Sequence, residues 1–245
     1  MQLINKTILI TGSTSGIGYA LGIALLKKQN KVILLGRDAE KLSQAQEKGF
    51  HTIQCDLSNQ QDIEKTSIKI QNEYPDLDVL FNNAGVQFNY SFTSNVIPLD
   101  KIHQEIEINL TGQITLTQLL IPTLINAEKA LIVNTTSGLG AFPKSDGLVY
   151  SASKAAMRNF TIGLKYALRN SRISVVEFIP PVTATNMTKG RDEEKMSVDE
   201  LISIILPQLE KGYSIITPAK MRLFLWIAFL FPQLANKILT KHKIK

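Results

Sequence analysis

Thr11-Gly12-Ser13-Thr14-Ser15-Gly16-Ile17-Gly18 is the stretch of this chain that decides its fold. Residues 6–11 (Lys-Thr-Ile-Leu-Ile-Thr) lead into it as a β-branched and aliphatic run suited to a buried parallel strand. Residues 19–28 follow it with a helical pattern rich in Ala and Leu. A glycine loop between a strand and a helix is the context that a dinucleotide-binding fingerprint requires. The stretch therefore predicts the first strand–loop–helix unit of a nucleotide-binding sheet.

Each glycine of this loop has its own expected role. Gly12 would allow the tight turn out of the strand, and Gly16 would let the backbone approach a pyrophosphate. Gly18 would let the helix pack closely against the sheet, and the helix N-terminus would present free N–H groups to phosphates. The spacing is G-x-x-x-G-x-G rather than G-x-G-x-x-G. The alternative interpretation is an ordinary glycine turn.

Strand and helix patterns alternate along the rest of the chain. We predict strands at 7–11, 31–35, 51–55, 79–82, 131–135, 174–178 and 214–216, and helices at 16–28, 40–47, 60–74, 99–124, 148–169 and 198–210. This alternation predicts a doubly wound parallel sheet with helices on both faces, a three-layer α/β/α Rossmann-like fold in a single domain. Ligands of such sheets bind beyond the carboxyl ends of the strands.

Composition agrees with one large α/β core, because 245 residues with 44% hydrophobic content can bury one. The single cysteine, Cys55, excludes an internal disulfide and suits a reducing, cytoplasmic location. Residues 1–6 lead straight into the first strand, so we expect no signal peptide. The three histidines show no metal-ligand spacing, and we expect no metal site.

Tyr150-Ser151-Ala152-Ser153-Lys154 lies within a predicted helix, where positions i and i+4 share one face. We therefore expect the Lys154 ammonium beside the Tyr150 phenol. A neighbouring cation lowers the pKa of a phenol from its usual value of about 10. Such a phenol could act as a general acid or base near neutral pH. The spacing alone would also fit a tyrosine packed under a solvated lysine.

Together, these motifs and four further matches resemble the short-chain dehydrogenase/reductase family. Asn82-Asn83-Ala84-Gly85 matches its N-N-A-G stretch, and residues 180–185 resemble its P-G-x-V-x-T segment with Pro181 in place of the glycine. The family's catalytic tetrad is matched by Asn109, Ser137, Tyr150 and Lys154. The resemblance implies an oxidoreductase that interconverts a carbonyl and a secondary alcohol with a nicotinamide cofactor.

The resemblance also implies a role for each site residue. Tyr150 would protonate the carbonyl oxygen, and Ser137 would hold the carbonyl in line. Lys154 would lower the pKa of Tyr150 and bind the nicotinamide ribose, and Asn109 would hold a water linking Lys154 to solvent. The implied cofactor contacts are Gly12, Ser13, Thr14, Ser15, Gly16, Ile17, Gly18, Arg37, Asp56, Leu57, Asn83, Ala84, Gly85, Tyr150, Lys154, Pro180, Val182 and Thr185.

The residues after the second strand favour NADP over NAD. A site for NAD usually places a carboxylate there, whereas Arg37 is the first polar side chain and suits a 2′-phosphate. Gly-Arg at this position also accompanies NADP in the family. We interpret Asp38 as the N-cap of the next helix. Asp56 follows the third strand, where it would contact the adenine by resemblance or simply cap its own loop.

The C-terminal tail, residues 219–245, has six basic and no acidic residues, which equals the whole formal net charge of +6. Residues 1–218, the expected cofactor-binding and catalytic domain, are therefore balanced, which argues against a nucleic-acid surface. Residues 223–231 form an apolar run of nine, far short of the ~20 that a spanning helix needs. The basic, Trp-containing tail suits peripheral membrane contact, and a helix that covers the substrate cleft or packs in an oligomer fits as well.

We therefore expect an NADP-dependent oxidoreductase of small molecules, assembled as a homodimer or homotetramer. The alternatives are a catalytically silent NADP-sensing or scaffold protein and a sugar-nucleotide epimerase. The intact tetrad argues against the first, and the short chain and the loop spacing argue against the second. Phe88, Tyr90, Phe92 and Phe142 indicate an apolar substrate.

Overall fold

A parallel sheet organises the molecule in the computed structural model, which describes residues 1–92 and 96–233. Its strand order is β3-β2-β1-β4-β5-β6-β7, so the order reverses between β1 and β4. The doubly wound α/β fold predicted from the sequence is confirmed. The strands are β1 (Thr7–Thr11), β2 (Lys31–Gly36), β3 (His51–Gln54), β4 (Leu77–Asn82), β5 (Ala130–Thr135), β6 (Ile173–Phe178) and β7 (Ile215–Ile216).

Helices cover both faces of the sheet. They are α1 (Gly16–Leu26), α2 (Ala39–Gln46), α3 (Gln60–Glu73), α4 (Leu99–Ile106), α5 (Gly112–Leu124), α6 (Leu148–Ala167), α7 (Val198–Glu210) and α8 (Ala219–Leu230). The helix predicted at 99–124 is divided, because one π-helical turn, Glu107–Thr111, lies between α4 and α5. Asp38 caps α2 as predicted, since its side chain accepts a hydrogen bond from the Lys41 N–H.

The central strands are buried on both sides, which explains their nearly continuous apolar sequence. In β1, Ile8 and Ile10 pack into the core on one face of the sheet, whereas Leu9 packs into the core on the other. All three side chains have no exposed surface. Burial of one such side chain contributes about 1.5–3 kcal/mol to the free energy of unfolding. The two cores therefore stabilise the position of the strand and of the loop at its end.

The glycine loop and the Asn82–Gly85 stretch meet where the strand order reverses. The Thr11 hydroxyl accepts hydrogen bonds from the N–H groups of Asn83 (2.9 Å) and Ala84 (3.0 Å). Gly12 has a φ of +60°, and a Cβ built there would lie 2.5 Å from the Ala84 Cα. Gly12 is therefore required by the close approach of the β4 loop as well as by its turn.

Helix α8 packs on the loop that follows β5. The rings of Phe142 and Phe224 meet edge to face with centroids 5.4 Å apart, and Ala228 is buried beside them. Residues 234–245, the remainder of the predicted basic tail, lie outside the described residues. Within residues 1–92 and 96–233, no helix has the length and apolar content that a membrane span requires.

Candidate active site

A cavity of about 420 Å³ opens at the carboxyl ends of the strands, beside the point where their order reverses. Most of the predicted cofactor contacts line it. They are Gly12, Thr14, Ser15, Gly16, Ile17, Arg37, Asp56, Leu57, Asn83, Ala84, Gly85, Tyr150, Lys154, Pro180 and Thr185. The tertiary structure thus brings the glycine loop, the β4 loop and helix α6 to one cleft.

Three predicted contacts do not line this cavity. Ser13 is fully buried, and its hydroxyl donates to the Ile10 carbonyl (2.7 Å) and accepts from the Leu35 N–H (3.0 Å). Gly18 lies against Asn83, because a Cβ built there would be 2.5 Å from the Asn83 Nδ2. Val182 points to solvent with 36% of its surface exposed. Both of the first two residues shape the loop from behind, Ser13 through its buried hydroxyl and Gly18 by leaving room for Asn83.

Two cations, Arg37 and Lys41, stand at the β2 end of the cavity. Sequence analysis missed Lys41, which forms an ion pair of 2.6 Å with Asp38. The hydrogen bond from Lys41 lowers the pKa of Asp38. Asp56 accepts hydrogen bonds from the N–H and hydroxyl of Ser58, at 2.9 and 2.7 Å, so it caps its own loop.

Tyr150 lines the other end of the cleft and is hydrogen-bonded to Ser137. Ser137 follows β5 and accepts a hydrogen bond of 3.1 Å from the Leu139 N–H, which fixes its hydroxyl at the start of a short 3₁₀ turn. Tyr150 lies in the first turn of α6 and is 8% exposed. Burial raises the pKa of Tyr150, whereas hydrogen bonding with Ser137 and the charge of Arg191 lower it. The Glu105 carboxylate acts in the same direction as burial.

Lys154 lies one turn beyond Tyr150 on the same face of α6, as the spacing predicted. Its ammonium donates a hydrogen bond of 2.9 Å to the Thr135 carbonyl and lies 5.8 Å from the centre of the Tyr150 ring. Burial lowers the pKa of Lys154 to about 8. The pKa of Tyr150 is raised overall, because burial outweighs the lowering by the Ser137 hydrogen bond and by the Arg191 charge.

Asn109 lies in the π-helical turn and fastens the β4 loop to α6. Its Oδ1 accepts from the Val86 N–H (2.8 Å), and its Nδ2 donates to the Val86 carbonyl (2.9 Å) and to Ser153 (3.2 Å). A Cβ built on Gly85 would lie 3.4 Å from this Oδ1 and 3.6 Å from the Lys154 Nζ. Asn109 and Lys154 therefore flank the same glycine.

Gln113 holds this turn together and was missed by sequence analysis. A π turn leaves carbonyls without their usual helical partners. The Gln113 Nε2 donates to the carbonyls of Ile108 (3.0 Å) and Asn109 (3.1 Å) and to that of Ala84 (2.8 Å). Gln113 lies four residues after Asn109, but a lone glutamine in a helix carries no signal of this task.

The aromatic residues expected to line an apolar cleft have other contacts. Phe142 holds α8, and Phe92 is 56% exposed. Tyr90 donates its hydroxyl proton to Glu105 across 2.9 Å, and Phe88 lies under the Lys101 ammonium. In the part of the chain that the structure describes, none of these four lines the cavity.

Comparison with known proteins agrees with this geometry. Residues 6–196 match the family model for short chain dehydrogenases. The chain is 36% identical over 225 residues to the uncharacterized oxidoreductase DltE of Bacillus subtilis (strain 168), covering 89% of each chain. It is 36% identical over 191 residues to a serine 3-dehydrogenase of Agrobacterium fabrum (strain C58 / ATCC 33970), covering 77% of this chain and 76% of the relative.

A short chain dehydrogenase of Burkholderia cenocepacia J2315, solved in complex with NADP, has the same fold. The TM-score is 0.87 at 24% identity, with 98% of this chain and 99% of that chain covered. The family model covers most of the sequence, and both curated relatives exceed 30% identity. The chain therefore belongs to the short-chain dehydrogenase family, and it is an oxidoreductase that acts on CH–OH and C=O groups.

Proposed function

We propose that this protein interconverts a carbonyl and a secondary alcohol on a small polar molecule, with NADP as its cofactor and Tyr150 as the proton donor in reduction. Tyr150 and Lys154 line one end of a cleft whose other end is lined by Arg37, and Ser137 is hydrogen-bonded to Tyr150; this arrangement supports the proposal most directly. A proton-transfer group and a phosphate-binding group are thereby joined by a single groove.

The residues of the groove fit a dinucleotide. Gly12 and Gly16 have φ values of +60° and +57°, which favour glycine, and the lack of side chains there leaves the loop open. Ser15 makes no side-chain cap at the start of α1, so the first N–H groups of that helix remain available for a pyrophosphate. When bound, NADPH would supply the hydride that reduces the carbonyl carbon.

Arg37 and Lys41 support NADP over NAD. Both line the end of the groove next to Thr14, where a 2′-phosphate would find a guanidinium and an ammonium. The Asp38 carboxylate, which could otherwise hold a ribose hydroxyl, is paired with Lys41. The Burkholderia cenocepacia protein and a dehydrogenase of Sphingobium yanoikuyae were solved with NADP and NADPH, whereas one from Burkholderia phymatum was solved with NAD.

The four tetrad residues would divide the work as follows. Tyr150 gives its proton to the carbonyl oxygen, while the Ser137 hydroxyl holds that oxygen in line. Lys154 has two N–H groups without a protein partner among the described residues, and these would bind ribose hydroxyls. Asn109 keeps Val86 and Gly85 in place beside Lys154, and its water-holding role is part of the proposal.

We propose a polar substrate, although the aromatic residues of the sequence predict an apolar one. The charged groups that act on Tyr150 are Arg191 and Glu105, and Gln87 contacts Arg191. The relative from Agrobacterium fabrum is named for an activity on serine, itself a small polar molecule. An intact proton donor is of no use to a silent NADP sensor, so catalysis remains the favoured function.

We propose in addition that the outer face of α8 binds an anionic membrane surface. Leu223, Trp226, Phe229 and Leu230 are 58–81% exposed, while Phe224 and Ala228 pack inward. The tail that carries this face has six basic and no acidic residues. Apolar insertion and charge attraction together favour acidic lipid. We further propose a cytoplasmic location, which the single cysteine supports, and assembly as a homodimer or homotetramer.

A direct absorbance screen tests the proposed reaction. The purified protein is incubated with NADPH or NADH and with ketones, aldehydes, oxo acids and acyl thioesters, and loss of nicotinamide absorbance is followed. We expect turnover with NADPH and at least one carbonyl compound, and little turnover in Tyr150→Phe. Equal turnover in the two proteins, or turnover with NADH alone, would contradict the proposal.

A further inference from the structure

The segment between β6 and α7 carries Arg191 close to the first turn of α6. Its two ends are joined by hydrogen bonds of 2.9 Å from the Ala184 N–H to the Met196 carbonyl and from the Met196 N–H to the Val182 carbonyl. The loop that these bonds close includes Arg191, directly after Gly190, whose φ is +79°. The loop has a fixed base, so the position of Arg191 is set by the fold.

Among the residues that the structure describes, one hydrogen bond orients the Arg191 side chain. Its Nη2 donates to the Gln87 Oε1 across 2.9 Å. The Gln87 side chain lies beside the beginning of α6, since a Cβ built on Gly147 would be 3.1 Å from the Gln87 Nε2. Gly147 precedes Tyr150 by three residues. The guanidinium is thus held near the first turn of α6, and its charge reaches Tyr150, where it lowers the pKa of the phenol.

Carboxylates around Arg191 are engaged elsewhere. Glu193 pairs with Lys144 across 2.9 Å, and the buried Glu105 accepts from the Phe88 N–H and the Tyr90 hydroxyl. Within residues 1–92 and 96–233, no carboxylate lies within ion-pair distance of the Arg191 guanidinium. A half-buried cation without a counter-ion, beside a proton-transfer group, is suited to a ligand anion.

We propose that Arg191, oriented by Gln87, binds the carboxylate of the substrate, so that the substrate is a small hydroxy acid and its partner the corresponding oxo acid. This inference rests on the proposed function. In oxidation, the alcohol carbon gives a hydride to the oxidised nicotinamide and the alcohol oxygen gives its proton to Tyr150, which leaves a C=O group. The carboxylate is unchanged, and Arg191 binds it in both directions.

The test compares each acid with its neutral analogue. Reduction of NADP⁺ is measured with 3-hydroxybutyrate and glycerate, each beside its methyl ester. We expect kcat/KM to favour at least one acid over its ester. With each protein measured on the plateau of its own pH profile, Arg191→Met should lower kcat/KM for that acid by about 10–100-fold, the worth of one or two charge-assisted hydrogen bonds, and should change the ester by less than about threefold. Arg191→Lys should fall between.

A matched control and a second readout separate binding from folding. Lys189→Met removes an exposed cation two residues away in the same loop and should leave every rate unchanged. Arg191→Met also removes a charge that lowers the pKa of Tyr150. The acidic limb of the kcat–pH profile for oxidation should therefore move to higher pH in Arg191→Met and stay in place in Lys189→Met.

Three results would overturn the inference. Equal kcat/KM for acids and esters in the native protein is one, and an equal loss for both in Arg191→Met is another. If no compound of the panel is oxidised, calorimetric titration of the NADP⁺-bound protein compares the affinities for 3-hydroxybutyrate and its methyl ester. The third overturning result is an acid that binds no more tightly than its ester. Neutral ketones reduced in a Tyr150-dependent manner would then leave the proposed function standing without Arg191 as its carboxylate site.

Discussion

The Lys154 ammonium is bonded to the Thr135 carbonyl, 2.9 Å away, and so faces the end of β5. Burial lowers the pKa of this lysine to about 8. Burial thus makes the charged form of Lys154 less favourable than it is in water. Ribose hydroxyls, which can accept hydrogen bonds from the same ammonium, would offset part of that cost.

The first prediction concerns stability and pH. Lys154 has a lower pKa in the folded chain than the 10.5 of an exposed lysine, so the unfolded chain binds more protons between pH 8 and 10.5. Stability contributed by this group therefore rises with pH across that window. Without cofactor, the free energy of unfolding of the native protein relative to Lys154→Met should increase by about 2–3 kcal/mol from pH 7 to 10.5.

Urea unfolding of both proteins at matched pH measures this difference. Burial raises the pKa of Tyr150, and it raises the pKa of Cys55 to about 11. The contribution of each group to the free energy of unfolding therefore falls as pH rises. Both are present in the two proteins, and their effect cancels in the comparison. A difference that is flat from pH 7 to 10.5 would show that Lys154 is not held in a pKa-lowering site.

The second prediction concerns proton transfer. Tyr150→Phe removes the phenol and keeps the ring, so NADPH affinity should change little while turnover falls by about 10²–10⁴, the usual contribution of general acid–base catalysis. Tyr166→Phe is the control, because Tyr166 lies on the same helix and is 66% exposed. Single-turnover rates and NADPH fluorescence titrations measure both quantities. Near-native turnover in Tyr150→Phe would remove Tyr150 from its proposed role.

The third prediction concerns cofactor choice. Arg37→Ala should weaken NADPH binding by about 10–100-fold through loss of a charge-assisted contact, and NADH binding by less than about threefold. Lys41→Ala should act in the same direction, because it also leaves the Asp38 carboxylate unpaired beside the proposed phosphate site. Lys27→Ala, an exposed cation at the end of α1, is the control for net charge. Equal losses for the two cofactors would mean that Arg37 does not contact the phosphate.

The fourth prediction concerns α8. Phe229→Ser and Leu230→Ser remove side chains that are 81% and 58% exposed, so they should reduce sedimentation with anionic liposomes and leave thermal stability almost unchanged. Binding of the native protein should weaken as salt rises but persist, since salt screens charges and not apolar contacts. Ile125→Ser, an exposed apolar residue at the end of α5, is the control.

Sedimentation velocity without liposomes tests the other expected occupant of this face, a second copy of the chain. A native protein that ignores liposomes at low salt, together with Phe229→Ser protein of smaller mass, would assign the face to a second copy of the chain. Absence of both effects would show that the exposed face of α8 binds neither.

Much of the fold was predictable because its determinants are local. The apolar runs of the strands, the glycine loop and the helical periodicity each act over a few neighbouring residues, and they place every strand to within about two residues. The break of the predicted helix at 99–124 was not predictable. Gln113 links the π turn to the Ala84 carbonyl on a distant loop, and this is a tertiary contact.

For this protein, the sequence alone determined the doubly wound sheet, the family, and the Tyr150–Lys154 spacing, since one helical turn sets it. Only the tertiary structure decided what surrounds these groups. It turned the Lys154 ammonium toward Thr135, brought Lys41 beside Arg37, and carried Arg191 to the side of Tyr150. These contacts join residues from separate strands and loops, and their charges and burial exist only once the whole sheet has assembled.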